Sequence, residues 1–369
     1  RVELESDVPQ LVVPDARAAM AVAADTFFGE PTKELEVAGV TGTNGKTTVV
    51  FLLHAMLEAA GRRAGLVGTV EWIVGGEHRA APFTTPEAID LQRLFREMLD
   101  AGDRSAAVEA SSHGAALGRL DRVRFDALVF TNLSQDHLDL HGTMQDYFQA
   151  KRRLFTRAQP PPAAVNVGTA WGRQLADGLR DLHRAPLMTF GLGEDAEIRP
   201  EGLEVTRDGS VFRAGGIEIE TPLRGLFNVE NALGAVAAGL LLDLDEQAIA
   251  EGIAGVTEVA GRFEVIDEGQ PFAVVVDYAH TPDSLATVLE AARGLGPGRV
   301  IVVFGAGGDR DRGKRPLMGK VAAELADVKI VTSDNPRSEA PLAIIQDVLQ
   351  GTGVDVEFDP DRRSAIARA

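Results

Sequence analysis

The chain has 369 residues, 45% apolar and 25% charged, with 55 acidic against 37 basic side chains and a net charge of −18. This length favours two or three compact domains, and the composition is that of a globular chain rather than a disordered one. The negative balance argues against nucleic acid or membrane surfaces as partners, no run approaches the ~18 apolar residues of a membrane span, and the absence of cysteine excludes disulfides and thiolate zinc sites.

The opening RVELESDVPQ lacks the basic-then-apolar order of a signal peptide, so a cytoplasmic protein is expected. A helix-like segment over Asp15–Phe28 is too little for a domain of its own. Leu35–Val40 then reads as a strand, GTNGKTT as a turn, and the residues from Lys46 to Ala60 as a helix. Ala64–Val70, Ala106–Glu109 and Phe125–Asn132 are further apolar runs, each ending in polar residues. Such alternation predicts an α/β fold with a mostly parallel sheet covered by helices, and ligands at the carboxyl ends of its strands. A change of composition at Thr257–Arg262 marks a boundary, beyond which the pattern restarts. Ala273–Asp277, a helix from Ser284, Arg299–Phe304, a helix from Pro316 and Val328–Ser333 predict a second α/β domain with its own sheet. The chain starts at Arg1 and stops at RRSAIARA, which reads as the middle of a helix, so a fragment cut at both ends is expected.

The sharpest signal is Gly42-Thr43-Asn44-Gly45-Lys46-Thr47-Thr48 between a strand and a helix. Backbone N–H groups at such a turn point at phosphate oxygens, and the helix dipole favours the anion. Lys46 would meet the outer phosphates and Thr47 a Mg²⁺ ion. The full phosphate-loop pattern wants glycine at position 40, where this chain has Val40, and the bland alternative is a glycine-rich helix start without a ligand. Glu109 in AVEASSH, His137 in TNLSQDHLDLHG and Lys151 in YFQAKRRLF are the next candidates. Glu109 and His137 would make a modest divalent-metal set. Equally, Asp136-His137 reads as a helix cap, and Lys151 beside Arg152 and Arg153 as a solvated basic face.

With these residues in view, the chain resembles the Mur ligase family, which builds the peptide of bacterial cell-wall precursors. GTNGKTT, EASSH, TNLSQDHLDLHG, YxxAK, GLFNVENA, AGRFE, DYAHTPDSL and FGAGGDRDRGKR stand in the family's order over nearly the whole chain. The resemblance implies an ATP-dependent ligase that passes through an acyl phosphate, with two Mg²⁺ ions, the first at Thr47 and Glu109 and the second near His137. It implies a CO₂-derived carbamate on Lys151, with Lys46, Lys151 and His137 as the catalytic set. It places Asn231 and Arg262 at the nucleotide with Asp277 and His280 nearby, and Thr84, Thr85, Ser111 and Arg119 at a UDP-MurNAc dipeptide. Phe83 and Leu117 depart from the family pattern there, where Asn and Gln are usual. The implied domains are 1–34, the tail of a UDP-binding domain; 35–258, the central ATP-binding domain; and 259–369, a Rossmann-like domain for the incoming amino acid. The expected partners are these small molecules alone, with no nucleic acid, no membrane insertion and a monomeric chain.

Ser333-Asp334-Asn335-Pro336-Arg337 follows a strand, and Asp-Asn-Pro reads either as a plain turn with a surface arginine or as a specificity loop. Arg337 could grip a carboxylate with two parallel hydrogen bonds, which suits meso-diaminopimelate over lysine. In the resembling family DNPR accompanies diaminopimelate, and Arg310 in GGDRDRGKR would hold another carboxylate of that ligand. The family also implies a Gly-Lys-Gly-His-Glu segment beyond the last residue, completing the amino-acid pocket. The rival readings are a lysine-adding homologue, an enzyme like folylpolyglutamate synthetase, and a nucleotide-binding module or inactive fragment without catalysis.

Overall fold

The computed structural model describes residues 8, 10–353 and 356–369. Its largest sheet has eight strands: β1 (Glu36–Thr41), β2 (Ala64–Val67), β3 (Glu71–Val74), β4 (Glu77–Ala80), β5 (Ser105–Glu109), β6 (Ala127–Phe130), β7 (Ala163–Asn166) and β8 (Leu187–Phe190). They lie in the order β4-β3-β2-β5-β1-β6-β7-β8. All neighbours from β2 to β8 are parallel, while β3 and β4 add an antiparallel hairpin at one edge. Val37, Val40, Val108, Leu128 and Val129 are fully buried, as strands covered on both faces require. Chain order reverses direction at β1, which lies between β5 and β6, so their carboxyl ends open a crevice at a topological switch point.

The helix Lys46–Ala59 packs one face of this sheet, burying Val49, Val50, Leu52, Leu53, Met56 and Leu57. Helices Leu226–Leu241 and Glu246–Gly255 complete that layer. The opposite face is covered by Ala88–Ala101, Met144–Arg152 and Ala170–Leu182, around Phe95, Phe148 and Leu175. Three short antiparallel strands, β9 (Glu201–Thr206), β10 (Gly209–Ala214) and β11 (Ile217–Thr221), extend the first layer. Their apolar residues Phe212, Ile217 and Ile219 join its core. Their turns, Arg207-Asp208 followed by Gly209 and Gly215-Gly216 between alternating runs, are hairpin signals that the reading by helical period passed over.

The edges of the large sheet are finished differently from its centre. The outer strand β4 carries Glu77, His78 and Arg79. Beside β8, the Glu197 carboxylate accepts the backbone N–H of Thr189 at 2.7 Å.

The sequence-predicted elements are present, with shifted ends. The expected helix from Ser284 begins at Pro282, because Thr281 caps it in a reciprocal pair with Ser284 and proline is well suited to the first helical position. The helix expected from Pro316 begins at Lys314, which puts Pro316 in the first turn, where its missing N–H costs nothing. The run Ala273–Asp277 is corrected in its placement. Its strand β13 (Val274–Val276) pairs antiparallel with β12 (Glu264–Ile266) as a separate hairpin. The parallel sheet that follows holds β14 (Ile301–Phe304), β15 (Val328–Thr332) and β16 (Glu357–Asp359). Leu285, Leu289, Met318, Val331, Ile345 and Val348 form its core.

Leu53 is fully buried on the helix that begins at the glycine-rich loop. Leu53→Ala should cost about 2–5 kcal/mol through lost transfer energy and a residual cavity. Urea unfolding followed by circular dichroism checks this.

Candidate active site

The loop after β1 turns on two glycines. Gly42 has φ 154° and Gly45 has φ 86°, so the second opens the Lys46–Ala59 helix in the left-handed region. A Cβ on Gly42 would lie 1.8 Å from Thr131 Oγ1, and one on Gly45 would lie 2.3 Å from Asn231 Oδ1. Side chains after β6 brace the loop from behind. Asn132 Oδ1 accepts the Asn44 N–H at 2.9 Å, and Thr131 Oγ1 donates to the Asn44 carbonyl at 2.6 Å. Thr43 Oγ1 accepts the Ser134 N–H at 3.0 Å and sits 3.1 Å from the Tyr147 hydroxyl. Thr48, the last loop residue, is buried.

Two ammonium groups converge inside this turn. Lys46 Nζ donates to the carbonyls of Gly42 at 3.1 Å and Thr43 at 2.8 Å, and Lys151 Nζ donates to the same Gly42 carbonyl at 2.8 Å. Lys151 is therefore no part of a solvated face. It is 1% exposed, on the helix Met144–Arg152, over the ring of Tyr147 one turn earlier. Burial drives its pKa well below the usual lysine range and the charge of Lys46 adds to this, with Asp136 pulling the other way. Lys46 is also lowered by burial, opposed chiefly by Glu109.

Glu109, at the end of β5, lies beside the first turn of the loop helix. Its Oε1 accepts from Thr47 Oγ1 at 3.0 Å and from the Thr69 N–H at 2.7 Å. Arg262 reaches over from beyond the boundary at Thr257–Arg262, donating from Nη2 to Thr47 Oγ1 at 2.8 Å and stacking on Tyr278. Thr69, which sequence reasoning missed, lies at the end of the β2 run, the kind of position where polar residues were expected. Asn231 is held by Asn228 Oδ1 at 2.9 Å, with its own carbonyl oxygen facing Gly45. A pocket lined by Arg224, Asn228, Thr257, Glu258, Arg262 and Phe263 lies alongside.

His137 precedes a one-turn helix, Leu138–His141, with φ 55° and no capping bond from its side chain. The cap reading is thus met in position but not in chemistry. Burial pushes the imidazole down to about 3, with Asp136 opposing and His113, Lys46 and Lys151 reinforcing. The ring is therefore neutral near pH 7. With Nε2 3.2 Å from the Asp136 carboxylate and Nδ1 buried without a partner, an Nε2–H tautomer leaves Nδ1 as a free lone pair. Among the described residues no three His, Asp or Glu side chains gather as a metal cage. A hard cation here would take Thr47 with Glu109, or His137, and fill its remaining positions with phosphate oxygens and water, the habit of Mg²⁺.

Asp136 was missed as a functional residue in its own right. It is 3% exposed and accepts from Lys314 Nζ at 3.1 Å and His280 Nε2 at 3.3 Å, both from the region beyond residue 258. Burial alone would raise its pKa, but the His280 hydrogen bond and the charges of His137 and Lys314 hold it far below the usual carboxylate range. Asn44 to Asp283 at 3.2 Å and Gln135 to Asp311 at 3.0 Å tie the same two regions. Asp277 does not face the loop: its carboxylate accepts the N–H groups of Phe263 at 2.7 Å and Ala279 at 2.6 Å, fixing the turn that carries His280.

Thr84, Thr85, Ser111 and Arg119 form a neighbouring group. Thr84 meets Thr69 at 3.0 Å, Thr85 Oγ1 donates to the Glu109 carbonyl at 2.7 Å, and Arg119 donates to the Thr85 carbonyl at 2.8 Å. Ser111 caps the short helix Ser112–Ala116. Phe83 is exposed and Leu117 ends that helix.

Arg310 and Arg337, 27 residues apart, both flank Gly307. A Cβ on Gly307 would lie 3.0 Å from Arg337 Nη1 and 3.9 Å from Arg310 Cγ. Gly308 donates to the Asn335 carbonyl at 2.9 Å and Arg337 donates to the Gly308 carbonyl at 2.6 Å, so the loops after β14 and β15 lie back to back. Asp334 and Asn335 are exposed on that ridge, and the Pro336 carbonyl accepts from Glu339.

A phosphate loop at a sheet's switch point, with a second α/β unit closing over it, defines a nucleotide-dependent ligase fold, and comparison with known proteins agrees. Residues 40–239 match the Mur ligase middle domain and residues 261–369 the Mur ligase glutamate ligase domain. The chain belongs to the Mur ligase family. It is 48% identical, over 97% of its length and 74% of the relative's, to UDP-N-acetylmuramoyl-L-alanyl-D-glutamate–2,6-diaminopimelate ligase of Solibacter usitatus. A solved structure of a ligase with that description is 34% identical, covering 99% of this chain and 76% of the other, with a TM-score of 0.69. Folylpolyglutamate synthase of Mycobacterium tuberculosis is 20% identical, covering 95% of this chain and 87% of the other at a TM-score of 0.77, a likeness of fold alone.

Replacing Asp136 by Asn would leave the buried Lys314 without its counter-charge. Asp136→Asn should cost about 3–5 kcal/mol at pH 7. The folded pKa lies below the unfolded value, so this stabilisation is complete above about pH 4 and fades as the pH falls further. Urea titrations of both proteins should show a constant gap from pH 7 to about pH 5 that has begun to narrow by pH 3.

Proposed function

We propose that the chain is an ATP-dependent amide ligase of peptidoglycan precursor synthesis, adding meso-diaminopimelate to UDP-MurNAc-L-Ala-D-Glu. The observation that carries the amino-acid choice is that the Arg310 side chain and the Arg337 guanidinium both flank Gly307. Diaminopimelate carries a carboxylate at both ends, and two guanidinium groups on adjacent loops suit such a ligand. Lysine would leave one of them unpaired, which is how a polar site rejects an analogue. The name carried by the Solibacter usitatus relative supports the same reading. The boundary at 258/259 divides most of the labour, with ATP held by residues 35–258 and Arg262 reaching over to it, and the amino acid by 259–369.

The reaction balances as follows. The D-glutamyl side-chain carboxylate attacks the γ-phosphorus of ATP, giving an acyl phosphate and ADP. The amine of diaminopimelate then attacks the acyl carbon, forming a tetrahedral centre that expels phosphate as the amide forms and the amine loses its proton. Lys46 and the N–H groups of Gly45–Thr48 at the start of the helix hold the transferred phosphoryl group, with Gly42, Thr43 and Asn44 shaping the turn. Asn231 and Arg262 hold the nucleotide across the loop, with Asp277 setting the turn from which His280 reaches Asp136. Thr84, Thr85, Ser111 and Arg119 line the approach of the muramyl peptide, and Asp334, Asn335 and Pro336 shape the loop that presents Arg337. Mg²⁺ would neutralise phosphate charge when bound, held at Thr47 and Glu109 and, for a second ion, at His137.

Lys151 fits carbamylation. CO₂ reacts with a neutral amine, and burial beside Lys46 favours that form. The product is an anion placed next to the Lys46 ammonium, which relieves the like-charge contact at the Gly42 carbonyl.

Phosphate release from ATP and UDP-MurNAc-dipeptide should depend on meso-diaminopimelate and be absent with L-lysine. Lys151→Ala should lower kcat by at least about a hundredfold, the scale of losing a preorganised charged group, and a small carboxylate in the buffer should restore part of it. Release with lysine alone would overturn the amino-acid assignment. Release that ignores any amino acid would overturn the ligase reading.

A further inference from the structure

The guanidinium of Arg315 is fully buried, the largest side chain to be so. It lies in the first turn of the helix Lys314–Leu325 and touches neither the phosphate loop nor the exposed ridge. Its Nη2 donates to Glu339 Oε1 at 2.7 Å and to the Gly307 carbonyl at 3.2 Å. Its Nη1 donates to Glu339 Oε2 at 3.0 Å and to Asp347 at 2.9 Å. One planar fork thus holds the loop that carries Arg310, through Gly307, and the loop that carries Arg337, through Glu339.

Glu339 extends the clamp. Its Oε1 also accepts the Asp309 N–H at 2.6 Å, and Arg312 pairs with Oε2 at 3.0 Å. Asp309 in turn accepts from the Ser338 N–H at 3.0 Å and from the Ser338 hydroxyl. Both loops need such bracing. Asp309 and Arg337 each have φ 50°, a left-handed backbone that a side chain adopts at a cost and that persists only where its surroundings over-determine it. Arg312 and Arg315 both pair with Glu339, so without it two guanidinium groups would lose a shared counter-charge.

We propose that Arg315, through its two-pronged pair with Glu339, is the positioning residue that sets the spacing of Arg310 and Arg337 and so tunes recognition of a doubly charged amino acid. Lysine at 315 keeps the charge but is a point donor, and cannot span Gly307 and both oxygens of Glu339 together. This inference rests on the proposed function, in which Arg310 and Arg337 receive that amino acid.

The experiment compares wild type, Arg315→Lys, Glu339→Gln and Asp347→Asn in phosphate release, titrating meso-diaminopimelate and ATP separately, with melting temperatures recorded. Arg315→Lys and Glu339→Gln should raise KM for diaminopimelate about tenfold, the loss of one good charged hydrogen bond. KM for ATP should stay within about twofold in both, since neither side chain touches the phosphate loop. Asp347→Asn removes the charge from a partner of the same guanidinium on the side away from Gly307, and should leave KM for diaminopimelate near wild type. The idea is overturned if folded Arg315→Lys keeps the wild-type KM for diaminopimelate. It is equally overturned if Asp347→Asn matches Glu339→Gln, or if KM for ATP rises in parallel, because a merely structural arginine would behave so. Wild type showing no response to diaminopimelate would instead overturn the functional reading on which the idea stands.

Discussion

The carbonyl oxygen of Gly42 accepts from two lysine side chains, Lys151 buried and Lys46 half-buried, and much of the site follows from that convergence. A turn can bring Lys46 there because Gly45 takes a left-handed backbone, while a helix one layer away delivers Lys151 beneath it. Two amines sharing one neutral acceptor repel each other when both are charged, a cost that anions must offset or that one amine avoids by losing its proton. Glu109 and Asp136 are the carboxylates whose fields reach them. The loop is thus a prepared cavity for negative charge, whether brought by phosphate or made on Lys151 itself.

Asp136 links this cavity to the rest of the chain. It orients His137 on one side and accepts Lys314 and His280 on the other. The second α/β unit therefore does more than sit beside the first: it supplies the charges that keep a carboxylate ionised next to the imidazole. Arg262 on Thr47 and Asn44 on Asp283 repeat the theme from other directions. Chemistry assigned to the loop is in this sense built by both halves of the molecule.

Much of this was legible in sequence wherever a local rule was strong. A strand, a glycine-rich turn and an apolar helix specify the phosphate loop within some fifteen residues, and DNPR carries both its turn chemistry and its charge. Lys151 shows what a local rule cannot see. Beside Arg152 and Arg153 it reads as a surface cation, yet helical rotation turns it inward with Tyr147 while Arg152 and Arg153 stay out of the core. Asp136, Lys314 and Arg315 were illegible for a related reason: their partners lie far off in the chain, and no spacing announces a long-range ion pair. The β9–β11 meander could have been read from its Arg-Asp-Gly and Gly-Gly turns, had alternation been weighed equally with the helical period. The separate pairing of β12 with β13 could not, because an apolar run of three valines fits any sheet.

The two borders of the large sheet bear on how the protein behaves in company. An exposed strand with free backbone donors invites a second molecule to add its own strand, and so to begin a growing stack. Here one border ends in a short strand bearing Glu77, His78 and Arg79, whose charges would have to be stripped of water for a stranger to dock. At the other border Glu197 occupies the N–H of Thr189 that a newcomer would need. Both borders of a wide sheet of buried aliphatic strands are thus guarded against the addition of a foreign strand.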